Sequence, residues 1–164
     1  MKAIVICVSV HHGNTKKIAD AIAEVLHAQV HTPEKVDVDV LVDCDLIGFG
    51  SGIYNGKHHH SLLDFVDTLP SLDKQGFVFS TRGGALDHNH EPLKQRLERK
   101  GLRIVAEFSC KGLDTSGVFN YIGGINNTRP NENDLHDARE FARTLLVPPP
   151  TKRMGSDCLK DELE

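Results

Sequence analysis

A run of six apolar residues near the start of the chain, followed closely by a helical pattern, constrains the fold more than any other feature. Residues 3–8 read AIVICV, and a strand that is apolar at every position is typical of a sheet buried on both faces. The next apolar residues recur at i, i+3, i+4, i+7 and i+8, which predicts one face of an amphipathic helix. They are Ile18, Ala21, Ile22, Val25 and Leu26. A strand that leads directly into a helix predicts the first half of a βαβ unit.

Further stretches along the chain also have the composition of strands. We expect short strands at 28–31, at 45–50, where a glycine-rich loop follows, and at 76–80. Residues 102–110 alternate instead, which predicts one apolar face. That face is predicted to hold Leu102, Ile104, Ala106, Phe108 and Cys110. Because the opposite face is polar, this strand is predicted at or near an edge of the sheet.

Helical spacing separates the later strands. The predicted helices cover 62–69, 91–100 and 135–145. Pro70 ends the first of them, and Asn131 and Asp134 are suited to cap the last. Residues 34–45 alternate valine or leucine with aspartate, and they fit either an edge strand or a connection with a short helical turn.

Five strands that alternate with helices predict an α/β fold in three layers, with a parallel sheet and helices on both faces. The 164 residues fit one domain, which we place at 1–147. A proline-rich, charged tail is expected over 148–164. In such sheets, ligands bind beyond the carboxyl ends of the strands, where the strand order reverses.

Composition excludes several classes of protein. With 19 basic and 23 acidic residues, the net charge of −4 gives no support for nucleic-acid binding. The apolar runs are too short to span a membrane. The four cysteines form no Cys-x-x-Cys pair, so a cytoplasmic protein with reduced thiols is the default expectation. Ten histidines are present, but His58, His59 and His60 are consecutive and no zinc or iron spacing accompanies them. We therefore expect no functional metal.

The loop after the first strand has the features of an anion site. Gly13 permits a close approach of the backbone, and Asn14 and Thr15 stand where a helix begins, so free N–H groups point into the loop. Ser9 and Thr15 add hydroxyl donors. Other phosphate motifs are excluded by their spacing: Gly48-Phe49-Gly50 lacks the third glycine of a dinucleotide fingerprint, and no complete P-loop is present.

The segment Ser9-x-x-x-Gly13-Asn14-Thr15 after a buried strand resembles the phosphate loop of the flavodoxin family, with His12 where a hydroxyl residue is usual. Residues 50–59 resemble the second flavin loop of that family, and residues 80–84 match the position of the third. The resemblance covers about residues 2–147 and implies a flavodoxin-like fold with strand order 2-1-3-4-5.

The same resemblance implies FMN as the cofactor and assigns its contacts. The phosphate is expected on Ser9, His11, His12, Gly13, Asn14 and Thr15. The ring is expected beside Ser51, Gly52, Ile53, Tyr54, Asn55 and Gly56, and beside Ser80, Thr81, Arg82, Gly83 and Gly84. Tyr54 is the best candidate to stack on the ring. Because the chain has no tryptophan, the second face of the ring is expected to be open or covered by His88, His90, Phe119 or Tyr121.

The resemblance leaves two functions open. The leading hypothesis is an electron carrier that exchanges electrons with a partner protein or a small acceptor. The alternative is a small FMN-dependent oxidoreductase for quinones or related acceptors. Positive residues near the predicted ring (Lys57, Arg82, Lys111 and the run 58–60) favour the alternative slightly, because they would stabilise an anionic reduced flavin. A signalling module of the response-regulator type is disfavoured, since residues 9–15 contain no aspartate.

Overall fold

The computed structural model describes residues 1–10, 12–83, 90–112 and 128–147. His11, Gly84 and the predicted tail at 148–164 lie outside these ranges, as do His88, Phe119 and Tyr121. The elements in chain order are β1 (Ala3–Val8), α1 (Asn14–Leu26), β2 (Gln29–His31), α2 (Val38–Val42), β3 (Leu46–Tyr54), β4 (Lys57–His58), α3 (His60–Thr68), β5 (Lys74–Arg82), α4 (Glu91–Arg99), β6 (Leu102–Lys111) and α5 (Glu132–Leu146).

Five of the strands form a parallel sheet in the order β2-β1-β3-β5-β6. Numbered among the parallel strands alone, this is the predicted order 2-1-3-4-5, and the prediction of a flavodoxin-like α/β sandwich is confirmed. The short β4 was not predicted. It pairs antiparallel with the end of β3, through Ile53 with His58 and Tyr54 with Lys57.

The sheet is buried between two layers of helices. On one face, α2, α3 and α4 bury Leu41, Leu62, Val66, Leu93 and Leu97 against the sheet. On the other face, α1 and α5 bury alanines and isoleucines against the rings of Phe77 and Phe79. Both clusters are apolar throughout, so burial of these two faces supplies the main stabilisation of the fold.

The predicted break between strand and loop at Gly50 is wrong, because β3 continues to Tyr54. Gly48 and Gly50 lie side by side with the rings of Phe77 and Phe79 on β5. A Cβ at Gly48 would come within 2.7 Å of Cε2 of Phe77, and one at Gly50 within 2.5 Å of Cδ2 of Phe79. These glycines therefore leave space for two phenyl rings, and the glycine-rich stretch belongs to strand β3 and not to the loop that follows it.

Residues 34–45 form a connection with a short helical turn, one of the two predicted alternatives. Asp37 caps α2 by accepting a hydrogen bond from the backbone N–H of Asp39 at 3.0 Å. Leu41 reaches the core, which explains why the valine–leucine pattern of this segment resembled a strand.

The single apolar face predicted for residues 102–110 is also wrong. Gly76 pairs with Ile104 but Phe77 pairs with Ala106, so Val105 is an extra residue in β6. This β-bulge exchanges the faces of the strand. Leu102 and Ile104 pack in the cluster under α3 and α4, whereas Phe108 and Cys110 pack in the cluster under α1 and α5. The edge position of the strand is confirmed.

The predicted cap of the last helix is confirmed. The side chain of Asn131 accepts hydrogen bonds from the N–H groups of Asn133 and Asp134, and the carboxylate of Asp134 accepts from the N–H of Asn131. This capping box satisfies donors that a helix start leaves unpaired. In the part of the chain that the structure describes, no helix has the length and apolarity that a membrane crossing requires.

Candidate site at the carboxyl edge of the sheet

Three predicted loops start side by side at one edge of the sheet. Val8 on β1 pairs with Ser51 on β3, and Ser51 pairs with Ser80 on β5. Because all three strands are parallel, the segments that follow these residues leave the sheet at the same edge. This edge, where β1, β3 and β5 end, is called the carboxyl edge below. The strand order reverses here, since β1 connects to β2 on one side and β3 lies on the other.

The first segment prepares the amino end of α1 for an anion. His12 and Gly13 both have left-handed backbone angles, with φ of 56° and 66°. Gly13 is the N-cap, and because it has no side chain it makes no side-chain hydrogen bond to the N–H groups of the first turn. The first turn of α1 contains no acidic residue. The hydroxyl of Ser9 reaches over this turn and accepts a hydrogen bond from the N–H of Lys16 at 3.2 Å.

Buried contacts hold the start of α1 against the neighbouring strand ends. The hydroxyls of Thr15 and Thr81 lie 2.8 Å apart and are both buried. Asn14 is buried as well, and its amide lies so close to Gly112 that a Cβ there would be 2.8 Å from Nδ2. Gly112 in turn donates its N–H to the carbonyl of Arg82 at 2.9 Å. The first and third predicted loops are therefore one connected unit.

The second segment is a tight hairpin between β3 and β4. Asn55 and Gly56 form its turn with φ of 51° and 76°, the pair of positive angles that a two-residue type I′ turn requires. The phenol of Tyr54 folds back over Gly52, where a Cβ would lie 2.9 Å from the Tyr54 hydroxyl. The ring of His59 meets Tyr54 edge-on, with 5.4 Å between centroids. Tyr54 is half-buried, so part of its surface faces the edge.

Ser51 lies under this hairpin and does not face solvent. Its fully buried hydroxyl lies 2.9 Å from Nδ1 of His58, accepts the N–H of His59 at 2.9 Å and donates to the carbonyl of Gly52 at 2.8 Å. Burial, with a smaller contribution from His90, lowers the pKa of His58 to about 3. His58 is therefore neutral at physiological pH, and the positive charge expected of it is absent. Nε2 of His58 is buried with no hydrogen-bond partner among the described residues.

Ser80 stands next to Ser51 in the sheet and belongs to a second buried group. Its hydroxyl lies 2.8 Å from Nε2 of His90 and 3.1 Å from the hydroxyl of Ser109. Nδ1 of His90 lies 2.9 Å from the carboxylate of Glu107, which also accepts from Lys94 at 3.1 Å. The rings of His58 and His90 are neighbours, with centroids 5.1 Å apart. We call Ser80, His90 and Glu107 the histidine chain.

The structure thus gathers most of the predicted site residues at the carboxyl edge, but at two depths. Ser9, His12, Gly13, Ile53, Asn55, Gly56, Arg82 and Gly83 are partly or fully exposed, whereas Asn14, Thr15, Ser51, Gly52, Ser80 and Thr81 are buried. The buried set supports the edge from below. His11 and Gly84 lie outside the described residues, and direct contact of any of these residues with a cofactor stays a prediction.

Sequence reasoning missed the histidine chain. The sequence suggested His90 only as a cover for a ring, and it marked the face of residues 102–110 that contains Glu107 only as the polar face of an edge strand. The bulge at Val105 turns Glu107 and Ser109 towards α4, and no pattern in the sequence marks that bulge. One available signal was the Asn55-Gly56 pair, which is typical of a tight hairpin and indicates the returning strand that brings His58 beside His90.

A doubly wound parallel sheet with a helix start and two further loops at its switch point defines a class of α/β proteins in which ligand sites are found at that edge. The comparison with known proteins is more specific. The flavodoxin domain matches residues 5–119, and the chain belongs to the flavodoxin-domain family. Members of this family generally bind a flavin.

Three known proteins are similar to this chain over most of its length. An uncharacterized protein of Methanocaldococcus jannaschii is 45% identical over 148 residues, which cover 89% of this chain and 99% of that protein. A solved flavodoxin from the domain Archaea has a TM-score of 0.67 at 21% identity and covers 88% of this chain and 96% of its own. Flavodoxin 2 from Bacillus cereus has the same TM-score and identity, with 89% and 98% covered. The two solved structures support the fold.

The residues present fit a phosphorylated flavin. The amino end of α1 offers N–H groups without a competing carboxylate, and Ser9 places a hydroxyl above them. Because Gly52 has no side chain, the ring of Tyr54 packs over its backbone, which places an aromatic ring in the second loop. Among the residues that the structure describes, no three His, Cys, Asp or Glu side chains gather as a metal site.

Proposed function

We propose that this chain binds FMN at the carboxyl edge and carries electrons between protein partners. The observation that carries the proposal is the register of the sheet, which starts all three flavin-type loops at one edge. FMN would supply the redox chemistry at this edge, and the protein would supply binding, orientation and electrostatics.

The phosphate is assigned to the first loop. Helix N-termini bind anions through their free N–H groups and through the positive end of the helix dipole. Gly13 keeps the approach open, and its left-handed angle turns the chain into the helix. The hydroxyl of Ser9 accepts from Lys16, so its own hydrogen is suited to a phosphate oxygen. His11 and His12 complete the predicted loop.

The ring is assigned to the second and third loops. Tyr54 would offer one aromatic face, and the hairpin backbone at Asn55 and Gly56 would lie at the ring edge. Arg82 and Gly83 would approach from the end of β5. Ser51, Ser80 and the Thr15–Thr81 pair would hold these loops in place from below.

A comparison of FMN with riboflavin tests the phosphate assignment. We expect the apo-protein to bind FMN at least tenfold more tightly than riboflavin, which lacks the phosphate. In Ser9→Ala, FMN affinity should fall by about tenfold, the worth of one charge-assisted hydrogen bond, while riboflavin affinity is unchanged. Ser71→Ala is the matched control, since Ser71 is exposed and precedes β5 at the opposite end of the sheet. Equal affinities for the two flavins would refute the phosphate assignment.

The electron-carrying part of the proposal predicts a partner with an acidic face. Lys57 on β4 and Lys111 at the end of β6 are exposed, and Arg82 ends β5, so three cations surround the carboxyl edge. Opposite charge accelerates encounter at low salt. Two variants of Lys57 test this. Reduced, FMN-loaded protein should pass electrons to anionic ferricyanide faster in Lys57→Met, which removes one positive charge, than in Lys57→Glu, which reverses it.

A charge-matched pair of acceptors makes this test specific. Lys57→Glu should slow oxidation by ferricyanide several-fold and speed oxidation by the cationic ruthenium(III) hexaammine complex. Arg103→Glu changes the net charge equally but lies exposed at the start of β6, at the opposite end of the sheet, and it should alter both rates much less. Identical effects of the two variants would contradict electron exchange at this edge. Sustained reduction of a quinone by NADH or NADPH would support the oxidoreductase alternative instead.

A further inference from the structure

The histidine chain places a serine hydroxyl, an imidazole and a carboxylate in line beneath the carboxyl edge. The distances are 2.8 Å from Ser80 to Nε2 of His90 and 2.9 Å from Nδ1 of His90 to Glu107. The three residues come from β5, the N-cap of α4 and β6, and the bulge at Val105 gives Glu107 its direction. β-Bulges are over-represented next to functional sites.

The same three residue types form the catalytic triads of hydrolases, but this arrangement cannot act as one. Ser80 is 0% exposed and lies inside the sheet, paired with Ser51 on one side and Ser109 on the other. A nucleophile must reach its substrate, and no acyl group can reach this hydroxyl. The arrangement must act on something other than a bound ester.

The histidine chain can take up a proton and keep the hydrogen bonds of His90 to Ser80 and Glu107. Hydrogen bonds from Lys94 and His90 outweigh burial and lower the pKa of Glu107, so it is a carboxylate at neutral pH. Neutral His90 with its hydrogen on Nδ1 would donate to Glu107 and accept the hydroxyl hydrogen of Ser80 at Nε2, in place of the hydrogen bond that Ser80 donates to Ser109. When His90 gains a proton, Nε2 donates to Ser80, and the Ser80 hydroxyl turns its hydrogen to Ser109, 3.1 Å away.

Charged and titratable groups lie around His90 on four elements. From β6 comes Glu107; α4 itself contributes Glu91 and Lys94, which are 3.5 Å apart. From β4 comes His58, which stays neutral. On β5, Arg82 follows Ser80 by two residues. Glu107 favours the imidazolium, whereas burial and Lys94 oppose it, so its protonation is open to control by charge at the edge above.

We propose that His90 is a positioning residue of the cofactor site that takes up a proton when negative charge is added at the carboxyl edge. This role rests on the proposed binding of FMN there. Electrons delivered by a one-electron donor protein add that charge, and the proton comes from water. The proton ends on Nε2 of His90, no covalent bond other than this N–H forms, and no electron passes through the chain. By linkage, each proton taken up favours electron uptake in return.

Imidazole NMR of the FMN-loaded protein tests the proposal directly. The titration midpoint of His90 should rise by at least half a pH unit when the protein is reduced with dithionite, which is about a threefold gain in proton affinity. His27 is the internal control, because it is exposed and lies at the far end of α1. Its midpoint should stay within about a tenth of a unit, and His27→Gln and His90→Gln assign the two signals.

The potential of the loaded protein gives a second measurement. Between about pH 6 and 8, where imidazoles titrate, the reduction potential of the parent protein should fall more steeply with pH than that of His90→Gln. Glu107→Gln should lower the His90 midpoint in both redox states. If FMN binds but the His90 midpoint is the same before and after reduction, the proposal is wrong and the proposed function stands. If FMN does not bind, both are wrong.

Discussion

The packing of Gly50 against Phe79 gives a quantitative prediction. A methyl group at Gly50 would lie 2.5 Å from Cδ2 of Phe79 and closer still to Cζ. Carbon atoms in contact are about 3.5–4.0 Å apart, so the ring or the strand must yield by about 1 Å or more. Phe79 is fully buried beside Phe77, with 6.1 Å between ring centroids.

The expected cost of Gly50→Ala follows from two opposing terms. Overpacking of a buried site costs typically 1–3 kcal/mol, and we take about 3 because the ring is fully enclosed. Replacing glycine in a strand recovers about 0.5–1 kcal/mol of backbone entropy. The free energy of unfolding should therefore fall by about 2 kcal/mol. With an m value of about 2 kcal/mol/M, the urea midpoint falls by about 1 M.

A double-mutant cycle identifies the cause. Phe79→Leu removes the atoms that the new methyl group would meet, so Gly50→Ala in that background should cost less than half as much. Urea unfolding of the four proteins measures the coupling, which is expected to be about 1 kcal/mol or more. The reasoning would be refuted if Gly50→Ala cost nothing, or if its cost were the same beside leucine as beside phenylalanine.

Three further predictions concern helix capping, a buried hydroxyl pair and pH. Asn131→Ala should lower the free energy of unfolding by about 1 kcal/mol through loss of the α5 cap, while Asn131→Asp costs little; urea midpoints measure both. Thr15→Val should lower the free energy of unfolding by about 1–3 kcal/mol, because the buried hydroxyl of Thr81 loses its hydrogen bond to Thr15. Adding Thr81→Val should recover part of that loss. Because the pKa of His58 is low in the native protein, between about pH 6.5 and 3 His58 binds a proton in the unfolded chain but not in the native protein. Stability therefore falls as pH drops from about 6.5 towards 3, and His58 does not change it above about pH 6.5. This contribution is about 2 kcal/mol at pH 5, and a stability–pH curve of His58→Gln that kept the full slope would contradict it.

Local pattern was enough to predict the order of the five parallel strands and the four longer helices. The apolar run at 3–8, the helical spacing at 18–26 and the cap at Asn131 each act within a few residues, and the structure confirms all three. The convergence of the three loops followed from topology, because parallel strands joined by helices bring their carboxyl ends together.

Packing between strands could not be predicted in the same way. Gly50 resembles a loop residue until Phe79 is seen beside it, and residues 102–110 alternate regularly although Val105 interrupts the pairing. Both facts depend on register with β5, which the sequence of either strand alone does not contain. The histidine chain depends on that register as well, since Ser80 and Glu107 lie 27 positions apart and meet only through His90.

Amide NMR of the apo-protein during titration with FMN tests the central claim most directly. The proposed site predicts saturable, one-to-one changes at Gly13, Thr15, Gly52 and Gly83, which lie on the three loops of the carboxyl edge. Gly101, at the opposite end of the sheet between α4 and β6, should not change. Absence of saturable changes, or changes centred on Gly101 instead of the carboxyl edge, would contradict the assignment of this chain as an FMN-binding protein.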